Sequence, residues 1–327
     1  HDRAPRWFAE GLAVHEEGQA NPACANRLTP DILVALKDHK LLPIAELDRG
    51  FVHPDYPGEV LVSYFEAGKI CDFIQARWGA PKLVELVHAF DSVTPTVDVL
   101  AAHLGMPAAA FDQAFQSWLY HDVGDTAAHV DEWRQGLVKL LTLFKDHQDD
   151  QALAQADVVR RLYPEYVDDG NPYEVIAQID QAKGDHAGAL TALLDYQKFG
   201  GEDPATLKAL AAIQQAAGQS QQAAATLDAI NDIYPVHDED LHRRLGALWL
   251  AQHNATGAVR EYTALVALHP LDTAGAEYGL AQAWMAAGDL GRAETHVLSA
   301  LEAAPGYRDA QKLLLDIEHA KGSPRVQ

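Results

Sequence analysis

A chain of 327 residues with 48% apolar content is long enough for two domains and for a sizeable core in each. A formal net charge of −22 argues against nucleic-acid or anionic-membrane binding, because neutralising phosphates needs clustered Lys and Arg. No apolar run approaches the roughly 18 residues that span a bilayer, and two cysteines, Cys24 and Cys71, are too few for a disulfide framework. They form either one bridge or two buried thiols.

The first segment, Pro5 to Glu17, places Trp7, Phe8, Leu12, Ala13 and Val14 around Glu10-Gly11 on a helix. A carboxylate within such an apolar stretch is costly to bury unless something pairs with it. Further on, His15-Glu16 begins like a two-histidine metal helix, but position 19 is Gln19. Two histidines must lie one helical turn apart to share a metal, so His15, Glu16 and Glu17 are expected to form a solvated helix end.

Thr29-Pro30 caps and starts a second helix, through Asp38. Pro57 opens a long one, whose Val60, Leu61, Tyr64, Ala67, Cys71, Ile74 and Trp78 recur at helical spacing. Pro81 opens another, ending near Phe90. Two more are expected around 95–103 and 107–120, joined by a tight turn at Gly105-Met106-Pro107. No useful alternating run predicts a strand, so the whole chain is expected to be all-α. Residues 1–125 show no internal repeat.

The remainder does repeat. Pro235, Pro270 and Pro305 are 35 residues apart, and Ala223, Ala258 and Ala293 each precede one of them by twelve. Gly218 and Gly288 occupy one further register position, which His253 takes in the middle repeat. Leu210, Leu245 and Leu280 recur, followed by Ala211, Gly246 and Ala281, and Trp249 and Trp284 share a position. The register runs back to Ile176, Ala177, Gly184, Ala189 and Leu193 over 170–203. A degenerate unit over 133–169 holds Ala152, Val159 and Pro164, with His147 at the glycine position. Asp309 to Lys321 is one unpaired helix, suited to capping an open end.

This pattern is similar to tetratricopeptide (TPR) repeats, in which paired antiparallel helices meet through small residues. The resemblance implies an α-solenoid over 126–322, with four to five repeats and a capping helix. Its stacked first helices would line a concave face for a protein or peptide partner. The residues expected on that face are Glu174, Gln178, Lys208, Gln215, Arg243, Tyr278 and Gln282. Lys208 and Arg243 match one position of the carboxylate-holding set of chaperone-type TPR domains. The asparagines of that set are missing, so no carboxylate clamp is expected.

The motif Trp7-x-x-Glu10-Gly11-x-Ala13 resembles the helix carrying the third metal ligand of gluzincin metallopeptidases, in a bacterial peptidase-MA-like arrangement. That resemblance implies Glu10 as a zinc ligand. It also implies Tyr64 as a hydrogen-bond donor to the oxyanion of a tetrahedral intermediate, although Glu66 and Ala67 stand where the family's Tyr-x-Lys-Gly motif has Lys and Gly. No His-Glu-x-x-His occurs, and the chain begins with His1. The expectation is a fragment of a zinc-dependent peptidase, 1–125 being its helical subdomain, with zinc in the parent protein, none held by this chain and no activity alone. By the habit of that family its location would be the periplasm or cell envelope. The alternative is a non-catalytic TPR scaffold with a degenerate peptidase-like helical domain.

Overall fold

A computed structural model describes residues 4–20, 27–90, 94–233 and 237–322. Cys24 and Pro235 lie outside them. Every regular element among the described residues is a helix. The chain divides into two compact units, His1–Lys183 with Lys198–Gly201, and Gly184–Gln197 with Glu202–Gln327.

The first unit contains α1 (Arg6–Ala20), α2 (Pro30–Lys37), α3 (Leu47–Val52), α4 (Glu59–Trp78), α5 (Ala80–Ala89), α6 (Thr96–Leu104), α7 (Ala108–Ala128), α8 (Val130–Lys145), α9 (Asp149–Leu162) and α10 (Pro172–Lys183). The sequence signals act locally as read. The Thr29 side chain accepts a hydrogen bond from the Ile32 N–H at 3.3 Å, capping α2. Gly105 turns left-handed at φ 68° between α6 and α7. The short α3 carries no such periodic signal. The domain boundary drawn at 125 falls inside α7, whose apolar positions Phe111, Phe115, Leu119, Val123 and Ala127 continue one buried stripe.

α1 packs along α4 at Gly11. A Cβ on Gly11 would lie 2.5 Å from the Ala67 carbonyl oxygen, so only glycine permits this approach. Beside the crossing, Trp7 and Phe8 are fully buried against Phe90, with ring centroids 6.2 and 5.0 Å away. The Trp7 indole donates to Thr96 Oγ1 at 3.2 Å, and its backbone N–H donates to Asp48 at 2.7 Å. Cys71 is a buried thiol in the same core.

The second unit contains α11 (His186–Lys198), α12 (Pro204–Ala216), α13 (Ser220–Ile233), α14 (Glu239–Ala251), α15 (Ala255–Ala267), α16 (Thr273–Ala286), α17 (Leu290–Ala303) and α18 (Arg308–Gly322). From α12 onward they alternate as first and second helices of successive pairs, and α18 closes the series. The small residues sit where helices meet: Ala211, Ala223, Ala258, Ala281 and Ala293 are completely buried. Leu210, Leu245 and Leu280 fill the space between. Gly218 (φ 75°), His253 (φ 58°) and Gly288 (φ 79°) end the first helices left-handed, so histidine adopts the conformation that glycine supplies in neighbouring pairs. First helix α16 packs on first helix α14 before it and on the closing helix α18 after it, as well as on its own partner. The three therefore share one face of the unit. This stacking of helix pairs resembles the arrangement of TPR repeats. Among the described residues no helix is long and apolar enough to cross a membrane.

Candidate functional site

In the first unit, Glu10 neither points freely into water nor meets other ligand side chains. Its side chain is 32% exposed and pairs with Arg6 at 3.4 Å, one helical turn earlier. Arg6 lies over the Phe51 ring at 5.8 Å, and Phe51 meets Tyr64 edge-on with centroids 5.0 Å apart. Glu10 and Tyr64 are thus linked through an arginine and a phenyl ring, not through a cavity. Among the described residues no three His, Cys, Asp or Glu side chains are grouped to hold a metal ion. Glu10 is thus without companion ligands among the described residues, and no hydrolytic step follows from them. Packing accounts for the Trp7 and Gly11 positions of the motif.

The expectation for His15 is corrected. Glu16 and Glu17 are exposed, but His15 is only 4% exposed. Its Nδ1 lies 2.6 Å from Asp72 Oδ1 and its Nε2 lies 3.0 Å from Gln75 Oε1, both on α4. Sitting one turn beyond Gly11, it is the polar pin of the α1–α4 crossing. Glu66, read only as a departure from a motif, is buried in the same core. The Leu42 N–H donates to its carboxylate at 3.1 Å. Burial drives its pKa well above the usual range, against that hydrogen bond, with Asp112 and Glu59 adding to the rise.

Of the seven residues expected on the repeat face, Glu174 and Gln178 lie on α10 of the first unit. The other five lie on α12, α14 and α16 of the second, partly or fully exposed. Their polar groups tie each pair to the next. Lys208 bonds to Asp238, and Arg243 donates to Asp272 at 3.2 Å. Each aspartate also caps a first helix, through Leu241 N–H at 3.0 Å and Gly275 N–H at 2.9 Å. Burial opposes charge on Asp238, yet Lys208 and the capping N–H groups hold its pKa below the ordinary range. Gln215 accepts from Arg244 at 3.1 Å. One repeat further on, Tyr278 stands at the position of Lys208 and Arg243. It packs on Tyr307 with ring centroids 5.0 Å apart and receives a hydrogen bond from Gln282 at 3.0 Å.

Tyr262 joins this aromatic end from the second helix α15. Its ring fits between Gly246 on α14 and Gly279 on α16, where a Cβ would lie 2.8 and 2.3 Å from ring carbons. Arg243, Tyr278 and Tyr307 all act electrostatically on its hydroxyl, and burial raises its pKa, so the phenol stays protonated. Tyr262, Gly279 and Tyr307 were missed in the sequence. The available signal was a pair of glycines inside helices, where glycine costs about 1 kcal/mol relative to alanine and so needs a packing reason.

The helix pairs also hold two His–Glu pairs, one buried and one partly exposed. His242 Nδ1 and Glu261 Oε2 are 2.7 Å apart, as are His296 Nδ1 and Glu277 Oε2. Positions 242 and 277 are 35 apart, and so are 261 and 296. The same pair therefore recurs with its members exchanged. Arg260 also pairs with Glu261, at 2.6 Å, and with Asp228 of α13. Burial opposes charge on Glu261, while His242 and Arg260 bring its pKa below the ordinary value.

No family model and no curated protein sequence matches the chain. Similar solved structures are TPR proteins. A portion of MamA from Desulfovibrio magneticus RS-1 is 24% identical, with a TM-score of 0.39 over 46% of this chain and 83% of that one. YrrB, described as a TPR protein with an unusual peptide-binding site, is 17% identical, with a TM-score of 0.42 over 57% of this chain and 90% of that one. PilW, a type IV pilus biogenesis factor, is 16% identical, with a TM-score of 0.35 over 58% and 86% respectively.

Proposed function

We propose that this chain is a TPR-type interaction scaffold, and that the shared face of α12, α14 and α16 receives a peptide segment of a partner protein. One observation carries this reading. Side chains in repeat register are bonded from pair to pair, Lys208 to Asp238 and Arg243 to Asp272, so the face is held in one shape before any ligand arrives. Such preorganisation lowers the ordering cost of binding. The carboxylates that hold the cations also neutralise them, and the face recognises through shape, aromatic rings and hydrogen bonds more than through net charge. The test is a screen of a defined synthetic peptide library against the full chain, repeated with Arg243→Ala and Tyr278→Ala. Binders weakened by these substitutions support the scaffold. Binders indifferent to both contradict it.

A peptidase-derived first unit retains one observation in its favour, the link from Glu10 through Arg6 and Phe51 to Tyr64. Under that reading the missing ligands come from sequence outside this chain. Metal analysis of a longer protein in which Glu10→Ala removes stoichiometric zinc would support it, and unchanged zinc content would end it.

A further inference from the structure

We propose that the aromatic end of the repeat face takes an extended, proline-rich segment of a partner protein. This rests on the scaffold reading and names its ligand class. The first ground is the change in character along one register position. At Lys208 and Arg243 the side chain is cationic and already answered by an aspartate of the next pair. At Tyr278 both partners become aromatic, and Tyr278 and Tyr307 are each only half-buried. A ligand there meets two tyrosine rings tilted 52° to one another, with Tyr262 filling the gap behind them. Flat, rigid apolar faces of this kind suit proline rings, which stack on aromatics with little entropy left to lose.

The second ground is the balance of donors and acceptors. The Tyr278 hydroxyl accepts from Gln282, so its own proton is directed to another acceptor. The neighbouring phenols are kept protonated by burial. Arg243 gives one N–H group to Asp272, leaving further donors on its guanidinium. Both Asp272 oxygens are engaged, one by Arg243 and one by the Gly275 N–H. Tyr278 and Arg243 therefore present donors to a ligand, next to the exposed Asp309 carboxylate. A proline-rich strand offers mainly acceptors, because proline has no N–H and an extended polyproline helix leaves its carbonyls unbonded. An acidic segment finds Lys208 and Arg243 already paired with aspartates and meets Asp309 beside the tyrosines.

The experiment is calorimetric titration of the full chain with decaproline, and with two peptides of equal length in which alternate prolines become glutamate or lysine. Decaproline should bind best. Tyr278→Ala should weaken it about tenfold or more, and Tyr278→Phe, which keeps the ring but not the donor, should weaken it less. Gln282→Ala serves as a second variant should Tyr278→Ala fail to fold, and a weaker complex is expected there too. No binding of decaproline, tighter binding of a charged peptide, or full affinity in the variants overturns the proposal. If library peptides without proline bind this face while decaproline does not, the ligand class falls and the scaffold stands. If no peptide binds it, both fall.

Discussion

Single residues carry the closest packing constraints. Gly279 faces the Tyr262 ring so tightly that a methyl group would lie 2.3 Å from Cε1. Gly279→Ala is expected to lower stability by about 1–3 kcal/mol, measured by urea unfolding, as overpacked cores do. His253 makes the opposite case. It holds φ 58° where Gly218 and Gly288 occupy the same register. Relief of left-handed strain, less the extra chain entropy of glycine, should make His253→Gly more stable by about 0.5–1 kcal/mol. Glu66 gives a pH signature. Its folded pKa lies well above the unfolded value of about 4.3. Its proton is therefore bound more tightly in the folded protein, and the stability it contributes falls as pH rises from about 4.3 toward the folded pKa. Glu66→Gln, which keeps an acceptor for the Leu42 N–H, should stabilise the chain at pH 7 and lose that advantage near pH 4. Equal stability of the two proteins at pH 7 would refute the burial argument.

Between helices, the exchanged His–Glu pairs are the most specific feature. His242–Glu261 joins α14 to α15, and Glu277–His296 joins α16 to α17 in the reverse sense. Glu277→His places two imidazoles face to face, and His296→Glu places two carboxylates together. Each should destabilise. The double exchange should recover much of the loss, with a coupling energy of about 0.5–3 kcal/mol in a double-mutant cycle. Additive effects would show that the pairs are incidental. This repeat of a pair at 35-residue spacing was readable in the sequence, but four scattered His and Glu positions gain meaning only when the helices bring them together. The helix starts and the small-residue register were legible because their causes are local: Thr29, Pro30 and Gly105 act within a few residues of themselves. His15 was not legible, since its burial depends on Asp72 and Gln75, about 60 positions away. The zinc motif is ambiguous for a similar reason. Trp7 and Gly11 are as well suited to a tight helix crossing as to a metal-bearing helix, and only the partner at Ala67 distinguishes the two.

For the whole molecule, the repeat face of the second unit is the claim on which the functional account depends. The repeat pattern pointed to stacked helix pairs and gave an expectation of which positions share a face. It did not show that Lys208, Arg243 and Gln215 bond between pairs, or that Tyr262 reaches between two first helices from behind. Under the proposed reading, those contacts give the face a preformed shape with an aromatic end. The most direct test is amide hydrogen exchange of the full chain, free and saturated with a peptide selected from the library. Slowed exchange concentrated in α12, α14 and α16 is the predicted result. Slowed exchange confined to α13, α15 and α17, or to the first unit, would contradict it.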